Sequence, residues 1–204
     1  MDDWPSVREA VGLYAQGWFP MDDLARAGEP LPFYAAHERA VLDLDDASRA
    51  RLRRRMRRAL RARTDCALTR DEHFETVLTA CATPREAGDE RWITPRLEDL
   101  YRRLHAAGVA HSYELVRADE LAAGVLAVRI GRAALLESMC HFVPEAGNAL
   151  LARLLDALVA DEGVELCDIQ LPTDHTLRIG AELIDRADYE ARLARALAGV
   201  GGGI

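Results

Sequence analysis

HSYELVRADELAAGVLAVRIGRAALLESM, residues 111–139, decides the fold of this chain when read with the segment that follows it to residue 170. His111 to Ala118 and Leu121 to Ile130 are strand-like runs joined by the tight turn Ala118-Asp119-Glu120, which predicts an antiparallel pair. Gly131-Arg132 supplies a second turn and leads into a third strand, Ala133 to Met139. Asn148 to Ala160 is apolar at helical length and is stopped by Gly163. Val164 to Gln170 then reads as a fourth strand. Three antiparallel strands, a helix and a further strand predict an α+β fold around a mixed sheet.

Upstream the signals are helical. Ser6-Val7-Arg8-Glu9 is a capping box for a short helix that Gly17 stops. Brief strand-like runs at Leu31 to Tyr34 and Ala40 to Leu44 lie in a stretch broken by Gly28, Pro30 and Pro32. Ala47 to Arg63 is predicted as one helix, with Leu52, Met56, Ala59 and Leu60 on a single face. Thr69-Arg70-Asp71-Glu72 is expected to cap another helix that ends near Cys81. Thr94 with Pro95 opens a further one that ends at Gly108. Downstream, Asp185 caps a last helix. The expected division is a small N-terminal domain with the arginine-rich helix over residues 1–63 and a larger domain over 64–204.

The chain has 204 residues and a formal net charge of −8, which excludes a uniformly basic nucleic-acid binder. Every one of its 26 basic residues is arginine, so no lysine is available as a catalytic amine. Nine of these arginines fall between Arg49 and Arg63 with no acid among them. Like charges so close repel one another, and a polyanion would relieve the repulsion. A solvated helix face is the plain alternative; Arg54, Arg58 and Arg61 on its polar side suit a phosphate backbone. The four cysteines are scattered, with no C-x-x-C pair and no H-E-x-x-H, so no metal and no other cofactor is expected. Scattered cysteines and the lack of a basic, apolar leader predict a cytoplasmic protein with free thiols, and no run is apolar enough to span a membrane.

Asp168 and Gln170 are two apart on a predicted strand and would share one face. A carboxylate there can hold the glutamine in one orientation, and the glutamine can accept a hydrogen bond from an attacking amine. The carboxylate would stabilise the positive charge developing on that amine. Spacing alone favours the plainer reading, a polar pair closing a strand end. Cys167 and Ile169 alternate with the pair and are expected to pack in the core.

Tyr14-Ala15-Gln16-Gly17-Trp18-Phe19-Pro20-Met21 is similar to the Y-x-x-G-x-F-P-M signature of leucyl/phenylalanyl-tRNA–protein transferases. Collinear matches follow at Arg39-Ala40-Val41-Leu42, Trp92-Ile93-Thr94, Ala110-His111-Ser112-Tyr113-Glu114, Glu137-Ser138-Met139, Asp168-Ile169-Gln170 and Asp174-His175. The resemblance covers residues 14 to 190. It implies transfer of an amino acid from aminoacyl-tRNA to an N-terminal Arg or Lys of an acceptor protein, part of an N-degron route to degradation. It implies Asp168 and Gln170 as the catalytic pair, Glu137 against the substrate amine, Met139 in the donor pocket, and Ser138 as a further substrate-binding residue. Trp92 and the aromatic pair Phe33-Tyr34, which stands where the family has two tryptophans, are expected to bind substrate. The strand order likewise resembles the acyltransferase fold shared with N-acetyltransferases (GNAT-type).

The chain departs from the family pattern at the pocket rim. The family's G-E-S-M-F-S reads Leu136-Glu137-Ser138-Met139-Cys140-His141, and its N-A-S-K reads Glu145-Ala146-Gly147-Asn148. Besides a tRNA- or N-terminus-binding module without turnover, these departures leave two other enzymatic readings open. One is an aminoacyl-tRNA-dependent transferase acting on another amine, such as a small molecule. The other is a CoA-dependent N-acyltransferase, for which Gly147-x-Ala149 partly resembles a pyrophosphate loop.

Overall fold

The computed structural model describes residues 5–26, 28–84 and 92–198. In chain order the elements are α1 (Val7–Tyr14), β1 (Phe19–Pro20), β2 (Phe33–Tyr34), β3 (Glu38–Leu42), α2 (Asp46–Arg55), α3 (Arg57–Ala62), β4 (Ala67–Arg70) and α4 (Phe74–Ala82). They continue with α5 (Pro95–Ala106), β5 (Ala110–Arg117), β6 (Glu120–Ile130), β7 (Ala133–His141), α6 (Ala146–Ala160), β8 (Leu166–Asp168), α7 (Asp174–Ile179), β9 (Glu182–Asp185) and α8 (Arg186–Leu197).

Seven strands form one mixed sheet in the order β4-β5-β6-β7-β8-β3-β9, and β1 pairs with β2 separately. The antiparallel run β5-β6-β7 is the one expected, and the β6–β7 turn begins at Gly131 with φ +57°. α6 crosses back so that β8 pairs parallel to β7, joining Ala133–Leu135 to Leu166–Asp168. β7 runs on to His141 after β8 has stopped, so the two strands part beyond Leu135. The buried side of α6, from Ala149 through Leu158, packs on one face of the sheet with Leu52, Met56 and Ala59. α1, α4 and α5 cover the other face through Val77, Leu97 and Tyr101.

Several expectations change. The boundary at residue 63 is crossed by the sheet, because β3 lies between β8 and β9 and pairs with both. The arginine-rich segment is two helices, interrupted at Met56 (φ −93°, ψ 13°). Thr69 and Arg70 belong to a strand rather than a cap; α4 starts later, after His73, and has no side-chain cap. The strand expected over 164–170 is regular only over Leu166–Asp168, and Gln170 adopts φ +63°. The alternation that placed Asp168 and Gln170 on one face has therefore ended before Gln170 is reached.

Candidate active site

Asp168 is wholly buried at the end of β8, and each of its oxygens is engaged. Oδ1 accepts the backbone N–H of Gln170 at 2.7 Å, and Oδ2 accepts the Tyr189 hydroxyl at 2.7 Å and the Arg39 guanidinium. Arg39, on β3, is 1% exposed and lies between two rings, 4.6 Å from the Phe19 centroid and 4.7 Å from that of Tyr189. Burial works most strongly against its charge, but Asp168, Tyr189 and Glu137 together outweigh that and hold its pKa above the usual value. Gly17 makes the stacking possible: it takes φ +81°, and a β-carbon there would stand 3.0 Å from the Tyr189 ring. The Tyr14–Met21 signature thus serves as the back wall of the Asp168 site.

Glu137 comes from β7. In the β6–β7 ladder Leu126 pairs with Ser138 and Ala127 with Leu136, so Glu137 is the extra residue of a β-bulge. The bulge turns a strand carboxylate inward. Its Oε2 accepts the Gln170 side-chain amide at 2.6 Å and the Tyr101 hydroxyl at 2.9 Å. Burial raises the Glu137 carboxyl to about 7, while the bonds from Tyr101 and Gln170 act in the opposite direction. The buried Tyr14 hydroxyl stands close enough that burial and the Glu137 charge push its pKa up. Phe33 packs edge-on against Tyr14, with centroids 6.0 Å apart.

A cavity of about 500 Å³ opens where β7 and β8 part. Val125, Leu136, Met139, Leu151 and Ile179 give it apolar wall, while Glu137, Ser138, His141, Glu145 and Asn148 give it polar wall. Trp92 lines it too, so four of the six expected substrate contacts meet here: Glu137, Ser138, Met139 and Trp92. Phe33 and Tyr34 are not among the lining residues, and Tyr34 is 41% exposed on β2. Ile169, expected in the core, packs against it and also lines the cavity; Cys167 is wholly buried. Asp168 and Gln170 stand behind the wall, Gln170 flanked by the lining residues Ile169 and Leu171. Its amide nitrogen is tied to Glu137, and its amide oxygen accepts no hydrogen bond among the described residues.

Sequence reasoning gave no role to Arg39, Tyr189, Tyr101 or Tyr14. Arg39 carried a signal, an arginine running directly into the apolar strand Ala40-Val41-Leu42. A charge in that setting needs a buried partner.

The basic surface adjoins the cavity. Arg63 donates to the Pro144 carbonyl at 2.6 Å and Arg58 lies 3.6 Å from Glu145, both on the 141–145 rim. The repulsion inferred for the nine arginines is partly relieved inside the protein, since Arg49 and Arg53 both pair with Asp156. Arg54, Arg58 and Arg61 are exposed. Away from this site, Asp71, His105 and His111 offer ligand atoms within 4.8 Å of one another. There Arg70 lies 2.9 to 3.1 Å from both ring nitrogens of His111 and already supplies the positive charge Asp71 would seek. No helix among the described residues is long and apolar enough to cross a membrane.

The sequence profile described as leucyl/phenylalanyl-tRNA protein transferase matches residues 41–194. The leucyl/phenylalanyl-tRNA–protein transferase of Anaeromyxobacter sp. (strain K) is 40% identical over 90% of this chain and 76% of its own length. That of Caulobacter vibrioides is 37% identical, covering 97% of this chain and 88% of its own. Among solved structures, the C-terminal domain of a putative lysylphosphatidylglycerol synthetase from Agrobacterium fabrum is 13% identical. Its TM-score is 0.48, over 82% of this chain and 66% of that one. With three-quarters of its length matched by the profile and relatives this similar end to end, the chain belongs to the leucyl/phenylalanyl-tRNA–protein transferase family.

Proposed function

We propose that the chain is an aminoacyltransferase that moves a leucyl- or phenylalanyl-like residue from aminoacyl-tRNA to the N-terminal amine of an acceptor protein. Membership of the family supports the donor and the reaction. The observation that carries the assignment to this site is the 2.6 Å bond from Gln170 to Glu137 beside an apolar cavity. A carboxylate only accepts, so that bond fixes the amide nitrogen toward Glu137 and leaves the amide oxygen to receive an N–H.

The donor ester is already activated, and an α-amine titrates near ~8, so positioning supplies most of what catalysis requires. The donor side chain fits against Val125, Met139 and Leu151, and Gln170 holds the neutral acceptor amine with its lone pair toward the ester carbonyl. The C–N bond forms, the bond to the terminal ribose oxygen breaks, and the proton shed by nitrogen ends on that oxygen. Asp168 is neutralised by Arg39, so in this reading it fixes the left-handed Gln170 backbone more than it stabilises the amine. Exposed Arg54, Arg58 and Arg61, with Arg58 beside the rim, suit the acceptor arm of the tRNA. Charged tRNA as donor supports a cytoplasmic reaction. The strand order and the parting of β7 from β8 support the GNAT-type acyltransferase fold.

The test is incubation with leucyl-tRNA or phenylalanyl-tRNA and peptides beginning with Arg, Lys or Ala, followed by mass spectrometry. A mass increase of one donor residue at the Arg or Lys terminus is expected. Modification of a small amine instead, with those peptides untouched, overturns the acceptor assignment.

A further inference from the structure

Gly147 is buried in the first turn of α6 and faces Met139 across the cavity wall that both residues line. A β-carbon at Gly147 would stand 3.0 Å from the Met139 sulfur, with His141 the next neighbour at 3.9 Å. The missing side chain is therefore the place into which the methionine folds. The helix backbone is held here: Ala146 N–H donates to Val143 O at 3.3 Å and Ala149 N–H to Glu145 O at 3.0 Å. A thioether has three soft torsions. Any atom added at position 147 is thus accommodated by the methionine, and the open space beside both residues is the cavity.

We propose that Gly147 sets the size of the donor side chain, by drawing Met139 against α6 and keeping the cavity wide enough for an aromatic ring. The inference rests on the aminoacyl-transfer reading above and adds a residue that discriminates between its donors. Pushing the sulfur inward removes about one methylene of space. A phenyl ring loses more by this than an isobutyl group, and one methylene in an apolar pocket changes selectivity roughly tenfold or more.

The experiment is a competition between phenylalanyl-tRNA and leucyl-tRNA for the parent, Gly147→Ala, Met139→Ala and the double variant, read as the ratio of kcat/KM values. Alanine favours the helix over glycine and the backbone here is helical, so G147A is expected to melt no lower than the parent. G147A should lower the phenylalanyl-to-leucyl ratio about tenfold, and M139A should raise it. In the M139A background, G147A should change the ratio by less than about twofold, because no sulfur remains to be displaced. An unchanged ratio in G147A with transfer intact overturns the proposal, as does an equal shift in both backgrounds. If the parent uses neither donor, it is the aminoacyl-transfer reading that has failed.

Discussion

Glu137 holds the most informative proton of the site, because a bulge aims it inward and burial sets its carboxyl at about 7. The carboxylate is the stronger acceptor for the Gln170 amide and carries no competing O–H, so ionisation of Glu137 raises the rate as pH climbs through about 7. The acceptor amine must also be neutral, and it titrates near ~8. Below pH 7, log kcat/KM should thus rise with a slope approaching two in the parent and one in Glu137→Gln; an identical slope in both removes Glu137 from the titration. Gln170→Ala deletes the amine's partner and should lower the rate by ~10²–10³ while leaving aminoacyl-tRNA affinity nearly intact. Asp168→Asn is a different experiment. It leaves the buried Arg39 guanidinium uncompensated, so a loss of roughly 3–5 kcal/mol in denaturant unfolding is expected beside any loss of rate.

At the scale of elements, what the sequence made legible was periodicity, and what it hid was where periodicity stops. Leu52, Met56 and Ala59 form the buried face as their spacing predicts, but the same spacing is satisfied by two helices meeting at Met56. β4 and β9, four residues each, are too short to display an alternation. Asp168 and Gln170 do come together, yet through a left-handed residue and a carboxylate on another strand rather than through a shared strand face. The arginine-rich pair of helices gives a test at this scale. Replacing Arg54, Arg58 and Arg61 with Gln should flatten the salt dependence of tRNA affinity by roughly 0.7–0.9 log units per lost phosphate contact. Replacing Arg49 and Arg53, which are committed to Asp156, should leave that slope where it is. Equal effects from the two sets return α2 and α3 to a merely solvated surface.

For the whole molecule, the hairpins of residues 110–141 were readable because their partners are neighbours in sequence, whereas β3 finds its partners across most of the chain, Val41 opposite Asp168 and Glu182. Nothing local announces such a pairing, which is why a boundary was expected at residue 63 where the sheet runs through. The consequence reaches the site. β8 is three residues long and is held by β7 on one side and β3 on the other. Without residues 1–63, β8 loses one edge, Asp168 loses the Arg39 charge, and Tyr189 loses its stacking partner. A fragment of residues 64–204 would then carry a buried carboxylate with no counter-charge beside an unpaired strand, and both are costly. That fragment should show no cooperative thermal transition and should bind a hydrophobic dye, while the full chain melts as one unit. A cooperative fragment with a denaturant slope scaled to its size would mean that the first 63 residues are a separate domain and that β3 is dispensable to the sheet.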